Sequence, residues 1–147
     1  MGLIESFLGL KNEDESKLEH LIQKAVEKGA VLCTMHFDAH GKNKEVVENS
    51  LVEFTNQISK SEGVLYAKSL VEKAVEENGL YSAISEATIL GEDFNALLLL
   101  AIRYGPVAIE LIEPRVIKMD LEQAQKALRA VSQATQEYTN YIMERSL

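Results

Sequence analysis

Two of the three histidines in the chain lie in one short run, Val31–Gly41. Read as a β-strand, this run sends successive side chains to opposite faces of a sheet. One face is then apolar, whereas the other carries Thr34, His36, Asp38 and His40. Imidazole and carboxylate groups two residues apart on one strand face lie close enough to contact the same ligand or the same divalent metal ion.

The row formed by His36, Asp38 and His40 supports two interpretations. In the first, it is the polar face of a strand that meets solvent, a small ligand or a protein partner. In the second, it holds zinc, manganese or iron, and the protein is a metal-dependent enzyme, most plausibly a hydrolase. Histidine titrates near neutral pH, so acid–base chemistry is also open to such a row. No activated nucleophile accompanies it, and we therefore favour the non-catalytic interpretation.

The composition predicts one folded domain that does not bind nucleic acid. The chain has 147 residues, of which 46% are hydrophobic and 26% charged, as is usual for a globular protein. Its 23 acidic and 15 basic residues give a formal net charge of −8. The sequence contains no basic stripe that would neutralise phosphates.

The sequence predicts a cytoplasmic protein without a membrane segment. The longest uninterrupted apolar run, Ala96–Ile102, has seven residues, whereas a helix needs roughly 20 to span a bilayer. The first apolar stretch lacks a basic lead-in, which argues against a signal peptide. The single cysteine, Cys33, cannot form an internal disulfide, and this suits a reducing compartment.

Apolar spacing and turn signals divide the chain into three parts. Residues 1–29 form an N-terminal helical extension, residues 30–113 an α+β core, and residues 114–147 a C-terminal helix that packs on the core or on a partner subunit. Within the core we predict a strand at 31–41, helices at 44–59 and 94–104, and a last strand at 107–112. Asp120 and Gln123 form an Asp variant of the capping box at the start of the final helix.

Residues 70–77 are ambiguous, because their composition suits either a strand or a short helix. The dipeptide Asn78-Gly79 that follows is a strong signal for a type I′ hairpin turn. We therefore favour a long hairpin in which Glu77 pairs with Leu80.

The core order β-α-β-β-α-β resembles that of ferredoxin-like modules. The resemblance implies a four-stranded antiparallel sheet of strand order 4-1-3-2, with both crossover helices on one face. The other face must then meet solvent, a flanking helix or another subunit. Since proteins of this fold have many different activities, the resemblance does not imply any one of them.

This architecture predicts a ligand-binding patch on the helix-free face of the sheet. The first strand is central and turns its polar row to that face. Glu110 joins the patch if Ile109 and Leu111 face the helices, and Glu86 joins it if Ala87 faces them. The candidate ligand-binding residues are Thr34, His36, Asp38, His40, Glu86 and Glu110.

The distribution of apolar residues predicts a homo-oligomer. The helix at 94–104 is apolar almost all round, and such a helix is buried on more than one side. The final helix carries the apolar positions Tyr138, Tyr141 and Ile142, and one sheet face lacks a helical cover. Together these surfaces exceed what one small domain readily buries.

Overall fold

The computed structural model of the protein describes residues 12–146, so the predicted helical spacing upstream of Asn12 lies outside the described residues. The elements, in chain order, are α1 (Asn12–Glu27), β1 (Val31–Gly41), α2 (Lys44–Ser59), β2 (Val64–Val71), β3 (Val75–Glu77), β4 (Leu80–Gly91), α3 (Phe94–Tyr104), β5 (Ala108–Glu113) and α4 (Leu121–Ser146). The protein is therefore an α+β domain with four helices and a five-stranded sheet in the described part of the chain.

The sheet differs from the predicted one in the number of its strands and in their numbered order. Its order is β2-β4-β1-β5, and the short strand β3 also pairs with β4. Each of these strand pairs is antiparallel. The difference from the predicted four-stranded 4-1-3-2 sheet arises because residues 72–74 interrupt the first hairpin arm and divide it into β2 and β3.

The hairpin itself forms as predicted. Asn78 and Gly79 have φ angles of 53° and 81°, and positive φ at both central residues is the requirement of a type I′ turn. Glu77 pairs with Leu80 across the turn. The helical alternative for residues 70–77 is wrong, because β2 continues to Val71 and β3 covers 75–77.

The main core lies between one face of the sheet and the helices α2 and α3. Alternation along β1 turns its apolar side chains to this face, where they meet α2, α3 and the small apolar side chains of β4. Buried members of this core are Val31, Cys33, Met35, Phe37, Val47, Leu51, Ile58, Ala83, Ala87, Ile89, Leu97 and Leu100. Both helices begin at a polar N-cap residue: the backbone N–H of Val46 donates to Asn43 Oδ1, and that of Ala96 donates to Asp93 Oδ1.

A second, smaller core lies on the opposite face of the sheet, beneath α1. Ile22 of α1 is buried against Leu32 of β1 and Leu90 of β4, and Tyr66 of β2 packs beside them. The helix therefore covers one end of the face that the sequence leaves open, and the remainder of that face is not covered by a helix in residues 12–146.

The final helix α4 begins as predicted and contacts α3. One side of its first half is half-buried, at Gln123, Ala124, Ala127, Ala130 and Ala134, and the rest of the helix is exposed. The backbone N–H of Gln123 donates to Asp120 Oδ1 at 2.8 Å, and the N–H of Asp120 donates to Gln123 Oε1 at 3.0 Å, which completes the capping box. None of the 26 residues of α4 is buried in the described structure. No helix between residues 12 and 146 is both long and apolar enough to cross a membrane.

Candidate functional site

The strand register brings the six predicted site residues to one face of the sheet. His36 of β1 pairs with Glu86 of β4, and Thr34 pairs with Glu110 of β5. Asp38 and His40 follow on the same face at the period of two that a strand imposes. Ile109 and Leu111 pair with core residues of β1, as the prediction for Glu110 required. We call the part of this face beyond α1 the open face; it comprises His36, Asp38, His40, Ser82, Ile84, Glu86, Lys68, Leu70 and Glu110.

His36 and Glu86 form a cross-strand pair at the centre of the open face. His36 Nε2 lies 3.1 Å from Glu86 Oε2, and the two side chains are 30% and 31% exposed. A carboxylate oxygen accepts hydrogen bonds, so Nε2 of the imidazole is the donor in this contact. The Nδ1 atom is buried and has no hydrogen-bond partner within residues 12–146. This ring nitrogen is therefore a buried polar atom whose hydrogen-bonding capacity is unused within residues 12–146.

Asp38 and His40 form a second and more exposed pair. His40 Nε2 lies 3.1 Å from Asp38 Oδ2, and the side chains of His40 and Asp38 are 65% and 44% exposed. Ion pairs with this exposure contribute little to stability. The two pairs leave the open face polar at its centre and along one end of β1.

The predicted row does not converge on a single point. His36 bonds to the neighbouring strand rather than to Asp38, and residues four apart on a strand lie about 13 Å apart along it. Among residues 12–146, no group of three or more His, Cys, Asp or Glu side chains is arranged to hold a metal ion. No observation in the structure therefore favours the metal-dependent enzyme.

Thr34 lies on the same face but is buried, and the face holds two further buried hydroxyl groups that sequence reasoning missed. Thr34 pairs with Thr88 of β4, and both side chains are buried. Their hydroxyls and that of Tyr66 are buried without a hydrogen-bond partner in the described residues. Burial raises the pKa of Tyr66 to about 12, so its phenol is protonated at neutral pH. Because alternate residues of a strand share a face, the prediction for Glu86 could have been extended to Thr88. The face of Tyr66 could not be predicted in this way, because β2 has an irregularity between Val64 and Tyr66.

Apolar side chains flank the polar pairs of the open face. Ile84 pairs with Asp38, and Leu70 of β2 pairs with Glu86. Both apolar side chains are about half exposed. Alternating polar and apolar groups of this kind suit a ligand or partner that has both characters.

A cavity of about 540 Å³ lies at one end of the sheet, away from the open face. It forms where the end of α1, the start of α3 and the connection 114–119 meet, so that its walls come from three separate parts of the sequence. The lining includes Lys28, Val31, Phe94, Asn95, Ile117 and Lys118. The Nδ2 group of Asn95 donates to the backbone oxygen of Gln123 at 2.9 Å, while its Oδ1 is buried without a partner among the described residues.

Cys33 is a structural side chain and not a nucleophile. It is fully buried in the main core, and burial raises the pKa of its thiol to about 12. A thiol with this pKa is protonated at neutral pH, whereas a reactive cysteine needs the thiolate.

Comparison with known proteins identifies one family. No curated protein matches the chain, and no solved structure matches it. The family match covers residues 32–144, from the first strand of the sheet almost to the end of α4. It thus includes both the open face and the exposed C-terminal helix. On this evidence the chain belongs to the MJ0538 family.

Proposed function

We propose that the protein is a non-catalytic, homo-oligomeric domain of the cytoplasm, with ferredoxin-like topology, that binds a small ligand or a protein partner on its open face. The observation that carries this proposal is α4, a helix of 26 residues with no buried side chain. In this proposal residues 30–113 are the binding core, and the C-terminal helix packs on a second subunit.

The apolar stripe of α4 supports self-association. At 1.5 Å per residue the helix is about 39 Å long, and its exposed apolar side chains recur at helical spacing: Leu121, Leu128, Val131, Tyr138 and Ile142. A helix stabilised by its own domain buries such a stripe. Exposed aromatic and aliphatic side chains at this density are typical of an interface between subunits.

The topology of the core supports the ferredoxin-like assignment. From β1 to β5 the chain runs strand, helix, hairpin, helix, strand, and β1 lies between β4 and β5 in the sheet. Both β2 and β3 pair with β4, so we regard them as two segments of one hairpin arm.

The arrangement of the open face supports ligand binding rather than catalysis. It has two His–carboxylate pairs, each already satisfied by one hydrogen bond, and exposed Ile84 and Leu70 beside them. An acid–base centre needs a group poised to act on a substrate atom, and within the described residues these side chains face each other instead.

Sedimentation velocity of the full chain, across the micromolar range, tests the proposal. We expect a homo-oligomer whose population rises with concentration, because burial of the α4 stripe drives association. A sedimentation coefficient that stays at the monomer value at every concentration would overturn the proposal.

A further inference from the structure

The strand β5 (Ala108–Glu113) forms an exposed edge of the sheet. Within residues 12–146 it pairs with β1 and with no other strand, so its outer edge has no strand partner. Its first five residues are all exposed. Its sequence, AIELIE, contains neither the lysine nor the proline that commonly blocks an edge strand. Such an edge is ready to pair with another strand.

One face of this strand is apolar and uncovered. Ile109 and Leu111 pair with Met35 and Cys33 of β1 and therefore point to the side of the sheet that α2 and α3 cover elsewhere. They remain 48% and 47% exposed, and Val107, two residues before Ile109, is 62% exposed. The helical layer therefore covers β1 but does not extend over β5.

We propose that β5 pairs antiparallel with β5 of a second copy about a two-fold axis, which joins the two sheets into one. The inference rests on the proposed self-association and names the surface that produces it. With a two-fold axis normal to the sheet, the helix-covered faces of both copies lie on the same side of the joined sheet. The uncovered apolar row of one copy then lies beside the same row of the other.

The residues of β5 select the register of this pairing. An axis at Glu110 sets two carboxylates directly opposite each other, which is destabilising. An axis at Leu111 brings Ile112 into the pairing, where the register of β5 with β1 shifts. An axis at Ile109 pairs each Val107 with Leu111 of the second copy and each Ala108 with Glu110. Only this last register brings apolar side chains together across the row without opposing charges.

The size of the interface requires α4 as well. A stable interface takes roughly 20–30 residues from each subunit, whereas β5 has 6 residues and α4 has 26. The strand pairing alone is therefore smaller than a stable interface, and the exposed apolar side chains of α4 are the further surface that this dimer needs to bury.

Disulfide formation tests the register. Side chains directly opposite each other across an antiparallel pair have Cβ atoms about 4.5–5.5 Å apart. We expect Ile109→Cys to give a covalent dimer under mild oxidation in most of the protein. Glu110→Cys is the matched control, because its copies are offset across the axis and its expected yield is low. The buried thiol of Cys33 gives no background. Failure of Ile109→Cys to cross-link, or equal yields from both variants, would overturn the register.

Charge substitution tests the pairing by a second route. Ile109→Lys sets two ammonium groups against each other on the axis, so we expect the dimer dissociation constant to rise about 100-fold or more. Ala108→Lys adds the same charge opposite Glu110 of the second copy, and we expect an unchanged or lower dissociation constant. Circular dichroism checks that both variants fold. We expect them to fold, because Ala108 and Ile109 are both exposed.

The outcomes separate this inference from the proposed function. If the wild-type chain associates but Ile109→Lys associates equally well, the pairing of β5 is wrong and self-association through another surface stands. If the wild-type chain is a monomer at every concentration, both proposals fail.

Discussion

His36 Nε2 lies 3.1 Å from Glu86 Oε2, and the two residues occupy directly paired positions on the central strands β1 and β4. The pair joins residues 50 positions apart in the chain. It is the most buried ionisable contact on the open face, since the Asp38–His40 pair lies nearer the end of β1 and is more exposed. The centre of the candidate site is therefore a cross-strand pair rather than a row along one strand.

The coupling free energy should be larger for the His36–Glu86 pair than for the Asp38–His40 pair, and double-mutant cycles measure both. We expect a coupling free energy of about 0.5–1 kcal/mol between His36 and Glu86 from alanine variants, and about zero between Asp38 and His40, because exposure weakens an ion pair. Urea unfolding at neutral pH measures both values. Equal coupling free energies, or a larger coupling free energy for the exposed pair, would show that burial does not determine the strength of these pairs.

The free energy of unfolding should fall at alkaline pH because of Cys33. Burial raises the pKa of the thiol from 9.0 to about 12. In the unfolded chain the thiol ionises above pH 9, while the folded protein keeps it protonated. The contribution to stability is thus complete below pH 9 and is lost progressively between pH 9 and about 12.

Urea titrations at a series of pH values measure this loss. Tyr66, whose pKa burial raises from 10.0 to about 12, contributes in the same direction at a slightly higher pH. Cys33→Ala removes the thiol, so the free energy of unfolding of this variant should decline less steeply above pH 9. A variant with the same pH profile as the wild-type chain would contradict the assignment.

Divalent metal ions should not stabilise the protein. In residues 12–146 no three ligating side chains converge, so we expect neither zinc nor manganese to bind there in a way that favours the folded state. We expect an unchanged melting temperature on adding either ion, and no stoichiometric metal by elemental analysis of protein purified without chelator. A rise in melting temperature that His36→Ala abolishes would revive the metal-dependent interpretation.

Two leucines should separate folding from association. Leu51 is fully buried in the main core, and Leu51→Ala should cost about 2–5 kcal/mol of unfolding free energy. Leu128 lies exposed on the stripe of α4, so Leu128→Lys should leave the fold intact and weaken association. Gln133→Lys, on the opposite side of the helix, is the matched control. Equal sedimentation coefficients for Leu128→Lys and Gln133→Lys would contradict association through the stripe of α4.

Much of the local structure follows from the sequence. Three features act over only a few residues, so the order of residue types reveals them: the alternation of β1, the capping box of Asp120 with Gln123, and the Asn78-Gly79 turn. For the same reason the bounds of α2 and α3 agree with the prediction. The interruption of the hairpin arm at 72–74 was not predictable, because those residues are compatible with a continuous strand.

The sequence by itself determined that Thr34, His36, Asp38 and His40 share one strand face, since alternation is a property of the extended backbone. Only the tertiary structure decided which of them are accessible and which carboxylate each histidine meets. Thr34 is buried two residues from Leu32, against which α1 packs, and the register of β1 against β4 sets Glu86 beside His36. Both depend on contacts between segments distant in the chain, which no local pattern encodes.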